Sequence, residues 1–372
     1  MGRKSKKEKK AQNVRVSIVS LLLGVVVGVI GSVSYTLVDV KSDEKERDAV
    51  VGKVHEDFQI HFLELGNIYA GDSIYVKAGE VDILIDAGSR ANSKDTIKNY
   101  INEYVTDNKL EFVIATHAHQ DHIAAFGCNE GIFYSYDIDT IIDFPLTNST
   151  TNVFNKYKEG RDYATNNGAT HYTALECYNN LNGAKQTYEF SENMSMQILY
   201  NTYYENETKN ENDYSVCVLF RYGSNKFLLT GDLEEDGEEY LATKHAEDIK
   251  DCDLFKAGHH GSYTASTDAL LDVVSPAYSV CTCVCGSTEY TDNPLNTFPS
   301  QNYIDRISKH TDQVYVTSLC SDYETGEYTS MNGNVIISSN GNETAVACSN
   351  NNTLLKDTEW FKANRTCPEN WK

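Results

Sequence analysis

The sequence predicts an α/β fold, a layered sandwich of sheets and helices, on two observations. Short apolar runs of strand length alternate with segments of helical spacing, and that rhythm occurs twice along the 372 residues. Two similar halves of this kind pack as layers rather than close into an all-β barrel. In the first half the strand runs are Phe58–Leu65, Ser73–Lys77, Val81–Ile85, Phe112–Ala115 and Thr140–Phe144. Ile97, Tyr100, Ile101 and Tyr104 recur at helical spacing and predict a helix over Ser93–Val105. Residues 147–185 are polar, rich in Asn, Thr and Tyr, and give no assignment. In the second half the strand runs are Met194–Tyr200, Ser215–Tyr222, Lys226–Thr230, Asp253–Ala257, Tyr278–Val284, Gln313–Thr317 and Gly333–Ser338, with a helix expected around Leu233–His245.

The N-terminus reads as a membrane anchor. Residues 1–15 carry Arg3, Lys4, Lys6, Lys7, Lys9, Lys10 and Arg15, and the run from Val16 to Val38 is uncharged. As a helix that run would rise about 34 Å, enough to cross the hydrocarbon core. The basic cluster stays cytoplasmic, so residues after Asp39 face outward. A cleaved signal peptide is the competing reading, with Ser32-Val33-Ser34 as small residues at the cleavage position and a secreted product as its result. Residues 39–56 are charged and without periodicity, a linker between the anchor and a domain expected over 57–345. The Asn-rich chain over 346–372 reads as a peripheral tail.

Charge disfavours one class of partner without excluding it. The whole chain has a net charge of -22, and positions 39–372 hold 25 basic and 53 acidic residues, about -28. No basic face for sequence-independent phosphate-backbone binding is visible, so long nucleic acid is disfavoured. Ten cysteines in an outward-facing domain raise the question of disulfides. Cys217 lies in an apolar run, and Cys281, Cys283 and Cys285 alternate along one strand and share a face, which favours small buried side chains over bridges. Cys348 and Cys367 are the pair better placed to bridge.

Three ligand-bearing turns follow strand runs. His117, His119, Asp121 and His122 fall within Thr116-His117-Ala118-His119-Gln120-Asp121-His122 at a strand exit. Two imidazoles at i and i+2 can face one ion while Asp121 and His122 reach a second, the split set that two neighbouring divalent ions need. Asp232 follows a strand and a glycine and is placed to bridge them. Gly258-His259-His260-Gly261-Ser262 supplies a further imidazole; His259 and His260 are both candidates, with His260 favoured as ligand and the other left to touch substrate. Asp86, at another strand end, is expected to fix the tautomer of a ligand imidazole. His171 sits in polar sequence and is read as a non-ligand.

These strings resemble the metallo-β-lactamase superfamily. Thr116–His122 is similar to its H-x-H-x-D-H motif, accompanied by Leu84-Ile85-Asp86-Ala87-Gly88, Leu228-Leu229-Thr230-Gly231-Asp232 and Gly258–Ser262. The combination looks most like the ComEC/Rec2 DNA-internalisation-type branch and extends over about 57–340. The resemblance implies an αββα sandwich, two mixed sheets with helices outside and metals at one sheet edge, and makes both halves one domain. It implies two divalent ions, Zn²⁺ first and Mn²⁺ second. Two departures stand out. Many members carry another His ligand where this chain has Glu211-Asn212-Asp213-Tyr214-Ser215, so Asn212, Asp213 or water would complete the first metal site. Similar proteins also carry a His-Pro after the double-His motif, where this chain has Phe298-Pro299.

The function expected is an extracytoplasmic metal-dependent hydrolase that attacks a phosphodiester with hydroxide generated at the metals. Asp121, His259 and His260 are the candidate catalytic residues. A small phosphodiester suits so acidic a surface better than duplex DNA. The alternatives are an acyl hydrolase acting on a β-lactam or thioester, or a catalytically weak surface binding or assembly protein, the latter motivated by the missing imidazoles.

Overall fold

The computed structural model describes residues 51–372. Its strands are β1 (Val51–Gly52), β2 (Phe58–Phe62), β3 (Ile74–Ala78), β4 (Val81–Ile85), β5 (Lys109–Ile114), β6 (Asp137–Asp143), β7 (Thr170–Thr173), β8 (Thr187–Ser191), β9 (Met194–Leu199), β10 (Cys217–Tyr222), β11 (Asn225–Leu229), β12 (Leu254–Lys256), β13 (Tyr278–Cys285), β14 (Val314–Asp322), β15 (Glu327–Ser330), β16 (Val335–Ser339) and β17 (Thr344–Cys348). Among the described residues they form a nine-stranded sheet, β1-β17-β16-β2-β3-β4-β5-β6-β7, and an eight-stranded one, β15-β14-β13-β12-β11-β10-β9-β8. Both sheets are mixed, as expected. β2, β3 and β4 are antiparallel before β4, β5, β6 and β7 run parallel. β9, β10 and β11 are antiparallel before β11, β12, β13 and β14 run parallel. Each half thus repeats one plan.

Period-two alternation builds the layers. On β10, Val218 and Phe220 join the core shared with Phe58, Ile60 and Val113 of the other sheet, while Cys217 and Leu219 turn to the opposite face. That outer face packs Leu228, Phe255 and Cys281 against Leu270 and Leu271 of the helix Asp268–Val274. Each large apolar side chain removed from water contributes about 1.5–3 kcal/mol, so two opposed stripes on one strand hold both a sheet and a helix layer. Cys281, Cys283 and Cys285 do share a face and are buried there as free thiols.

Several expectations are corrected. The anchor over 16–38 and most of the linker lie outside the described residues; among the described residues no helix is long and apolar enough to cross a membrane. The linker expected through residue 56 already contains β1, which pairs with Ala347 and Cys348 of β17. The segment over 346–372 is not peripheral, because Leu355, Phe361 and Trp371 are buried in the outer core. Cys348 and Cys367 do not bridge: Cys348 is buried in the inter-sheet core and Cys367 packs against the other cluster. The unassigned polar stretch contains the helix Asn152–Asn166, capped by Thr151, then β7 and the helix Ala174–Asn179.

Candidate metal centre

The site forms where strands of both sheets end. β4 delivers Asp86 and β5 delivers Thr116–His122 from one sheet; β11 delivers Asp232 and β12 delivers His259-His260 from the other. Backbone contacts lock these turns together. Ala87 N donates to His122 O at 2.7 Å and Asp72 N to Asp121 O at 3.0 Å. Gly88 must lack a side chain, since a Cβ there would lie 1.5 Å from the Asp121 carbonyl oxygen. Gly231 has φ +57° and a Cβ there would meet Ser215 Oγ at 2.9 Å, which explains the glycine before Asp232. Asp86, His259 and His260 themselves hold positive φ of 58°, 44° and 55°. Non-glycine residues keep that conformation only where their surroundings impose it, as at binding sites.

Four donors converge: Asp121, His122, Asp232 and His260. Asp232 Oδ2 lies 3.1 Å from His122 Nε2 and 3.2 Å from His260 Nε2, and Asp121 Oδ2 lies 3.5 Å from His260 Nε2. Four bonds of the usual zinc length arranged tetrahedrally put donors about 3.3 Å apart, so these three separations match the donor spacing around one divalent ion. Two buried atoms of the set, Asp232 Oδ1 and His260 Nε2, make no hydrogen bond in the protein. Orphaned buried polar atoms are costly, and an ion satisfies them. The residues present therefore fit a metal.

The tautomers suit that role. His122 Nδ1 donates to Asp86 Oδ2 at 2.7 Å, as expected, and Asp86 also accepts from Thr116 N and Oγ1 at 2.8 and 2.7 Å. His260 Nδ1 donates to the Thr282 carbonyl at 2.9 Å and lies 3.3 Å from Asp72 Oδ1. Both rings thus aim Nε2 at the ion position. His117 Nε2 and His119 Nδ1 face each other at 3.0 Å and form a separate two-imidazole pair. Ser215 Oγ stands 3.5 Å behind His117 Nδ1 and accepts from Asp232 N at 3.1 Å.

Burial and charge oppose each other throughout. Burial alone would keep His122 neutral, but Asp232 and Asp86 raise it well above the usual imidazole range; Asp232 and Asp72 do the same for His260. His117 is driven the other way, by burial first and then by His122 and His119. Burial would raise the Asp72 carboxyl, yet Lys256 and His260 lower it to about 2. Asp121 and Asp232 are also held below the carboxylate range, against burial, by the imidazoles.

Three expected members stand elsewhere. His259 is half-buried, with Nδ1 2.9 Å from Glu234 Oε1 and Nε2 4.0 Å from Asp232 Oδ2, so it sits at the rim while His260 is the ligand-competent imidazole. Asp213 is turned toward Thr208, from whose hydroxyl it accepts at 3.2 Å, and not toward the cluster. Asn212 donates to Glu234 at 2.9 Å and stands 3.5 Å from His259, behind the rim. His171 pairs with Asp143 at 2.7 Å. Sequence reading missed Asp72, Lys256 and Tyr290. Lys256 is buried with Nζ 2.8 Å from Asp72 and 3.5 Å from Asp232. A lysine within the apolar run of a parallel strand was the available signal. Tyr290 Oη donates to Asp121 Oδ2 at 3.0 Å from a loop without periodicity.

Two facing mixed sheets flanked by helices, with a His/Asp cluster at their shared edge, define a metallo-β-lactamase-fold protein of the metallo-hydrolase class. The family model described as Anti-Pycsar protein Apyc1 matches residues 66–272, and the chain belongs to that family. Competence protein ComA of Neisseria gonorrhoeae is 38% identical over 76 residues, 20% of this chain and 11% of that protein. Recombination protein 2 of Haemophilus influenzae is 30% identical over 112 residues, 30% of this chain and 13% of that protein. The matches therefore span only about an eighth or less of these curated relatives, and they agree with the ComEC/Rec2-type resemblance. Among solved structures, the metallo-β-lactamase fold protein YhfI of Bacillus subtilis aligns over 70% of this chain and 96% of its own at 12% identity and TM-score 0.41. The short form of human tRNase Z aligns over 60% and 92% at 13% identity and TM-score 0.35.

Proposed function

We propose that this protein hydrolyses a small phosphodiester in a metal-dependent reaction, on the outer side of a membrane to which residues 16–38 tether it. The observation that carries the chemistry is the convergence of Asp121, His122, Asp232 and His260, with the buried His260 Nε2 aimed into the cluster and making no hydrogen bond. When bound there, a divalent ion supplies Lewis acidity toward a phosphoryl oxygen and lowers the pKa of water. Zn²⁺ suits this set of two imidazole nitrogens and two carboxylate oxygens, with Mn²⁺ the alternative. His117 and His119 offer two imidazoles to a second ion.

The chain's own groups do the rest. Asp86 and the Thr282 carbonyl hold the ligand imidazoles in orientation. Lys256 offsets part of the charge of Asp72 and Asp232, which would otherwise repel an anionic substrate. His259, steadied by Glu234 at the rim, is placed to contact a substrate oxygen. One observation favours a second reading, a catalytically weak binding protein: the stretch Glu211–Ser215 and Phe298 stand where similar proteins carry imidazoles.

The full-length chain, assayed against bis-p-nitrophenyl phosphate, p-nitrophenyl phosphorylcholine, single-stranded DNA and nitrocefin, separates these readings. Turnover of the two small esters, abolished in Asp121→Ala, supports the diesterase. Turnover of nitrocefin alone transfers the site to acyl chemistry, and metal binding without turnover supports the weak binder.

A further inference from the structure

The loop from Gly286 to Ser300 joins β13 to the helix Gln301–Ile307 and borders the four-donor cluster. Its position is set from the other sheet's half of the chain. Glu289, nearly buried, accepts from Ala70 N at 2.9 Å and from Arg90 Nη2 at 2.6 Å, and the Arg90 guanidinium lies 3.9 Å over the Tyr69 ring. The next residue is Tyr290, whose hydroxyl reaches Asp121 Oδ2 at 3.0 Å. Its ring stands 5.6 Å from Phe298, and Phe298 stands 5.7 Å from both His259 and His260. Yet Tyr290 keeps 53% of its surface exposed. A tyrosine tied to a cluster carboxylate but open to solvent lines the mouth of the site; it is not core.

Phe298 occupies the place where similar proteins carry a histidine, and a phenyl ring donates nothing to a departing oxygen. Tyr290, packed against that ring, does carry a donor. Its present acceptor, Asp121 Oδ2, belongs to the same carboxylate that would ligate the ion. With an ion bound there, Asp121 Oδ2 would be a weaker acceptor, and the Tyr290 phenol would be free to turn to substrate.

We propose that Tyr290 is a catalytic residue that donates a hydrogen bond to the leaving oxygen of the substrate, a role that rests on the phosphodiesterase reading. In that step a water oxygen forms a bond to phosphorus and its proton passes to solvent. The bond from phosphorus to the leaving oxygen breaks, that oxygen keeps the electron pair, and it is protonated from solvent while Tyr290 stabilises the developing charge. A donor of this kind matters more as the leaving oxygen becomes more basic.

The test compares wild type with Tyr290→Phe on bis-p-nitrophenyl phosphate and diphenyl phosphate, with bound metal measured in both proteins. Phenolate is the more basic leaving group. The variant is expected to keep its metal and to lose about 30-fold on diphenyl phosphate but about 3-fold on the nitrophenyl ester. Equal losses on both esters, no loss on either, or loss of metal from the variant would overturn the role and leave the diesterase reading intact. A wild-type protein that turns over neither ester removes that reading and the role with it.

Discussion

Replacing Lys256 by methionine keeps the length of the side chain and removes its charge, so the packing of β12 is nearly preserved while Asp72 loses its nearest cation and keeps the His260 imidazole at 3.3 Å. The Lys256 ammonium is 2.8 Å from Asp72 Oδ2 and 3.1 Å from the carbonyls of Gly231 and Ala257, all in the interior. Breaking a buried pair from one side costs about 3–5 kcal/mol. The carboxyl can limit that cost by taking up a proton. From its ordinary value of 3.8, doing so costs about 4 kcal/mol at pH 7 and about 2 kcal/mol at pH 5. Lys256→Met is therefore expected to lose about 3–4 kcal/mol at pH 7 and about half that at pH 5. Urea unfolding of chelator-treated protein at both pH values measures this, and Asp72→Asn in the same chain should restore most of the loss. A loss below about 1 kcal/mol at pH 7, or one independent of pH, would refute the pairing as the source of stability.

Two further outcomes follow from the same geometry. His260→Ala should weaken zinc binding by about 100-fold or more, whereas His259→Ala should change it by about 3-fold at most; equilibrium dialysis measures both, and equal effects would return the choice between them to open. Glu238 is fully buried and burial raises its carboxyl from 4.5 to about 7, partly offset by the N–H groups of Thr267 and Ser266. The folded chain then holds a proton between those values that the unfolded chain has released, so stability falls as pH rises through that window, by about 3 kcal/mol from this residue. Glu238→Gln should flatten the slope, and an unchanged slope in denaturant midpoints between pH 4.5 and 7 would contradict the assignment.

The strands and their site-bearing ends were legible because buried strands in this fold are nearly continuous apolar runs, and each run stops at a turn whose polar residues have chemistry rather than packing to perform. β4 ending at Asp86 and β11 ending before Gly231-Asp232 are of this kind. The helix Asn152–Asn166 was not legible, since it buries only Phe154, Tyr157, Gly160 and Ala164. Its apolar stripe is too thin to stand out from a polar background. β7 and β8 are sheet edges with half-exposed residues and no alternation to read. At the site, the missed groups act across long separations in sequence. Asp72 meets Thr282 and Lys256 only because the two sheet edges face each other, and no local spacing encodes that meeting. The choice of His260 over His259 likewise depended on the Thr282 carbonyl, which fixes one ring and not the other.

The metal content of the full-length chain tests the central claim most directly. Wild-type protein, exposed to zinc and then freed of loose ions by gel filtration, should retain at least about one equivalent per chain. Asp232→Ala, which removes the carboxylate shared by His122 and His260, should retain almost none while staying folded by circular dichroism. Retention well below one equivalent in the wild type, or equal retention in both proteins, would contradict a metal centre built from Asp121, His122, Asp232 and His260.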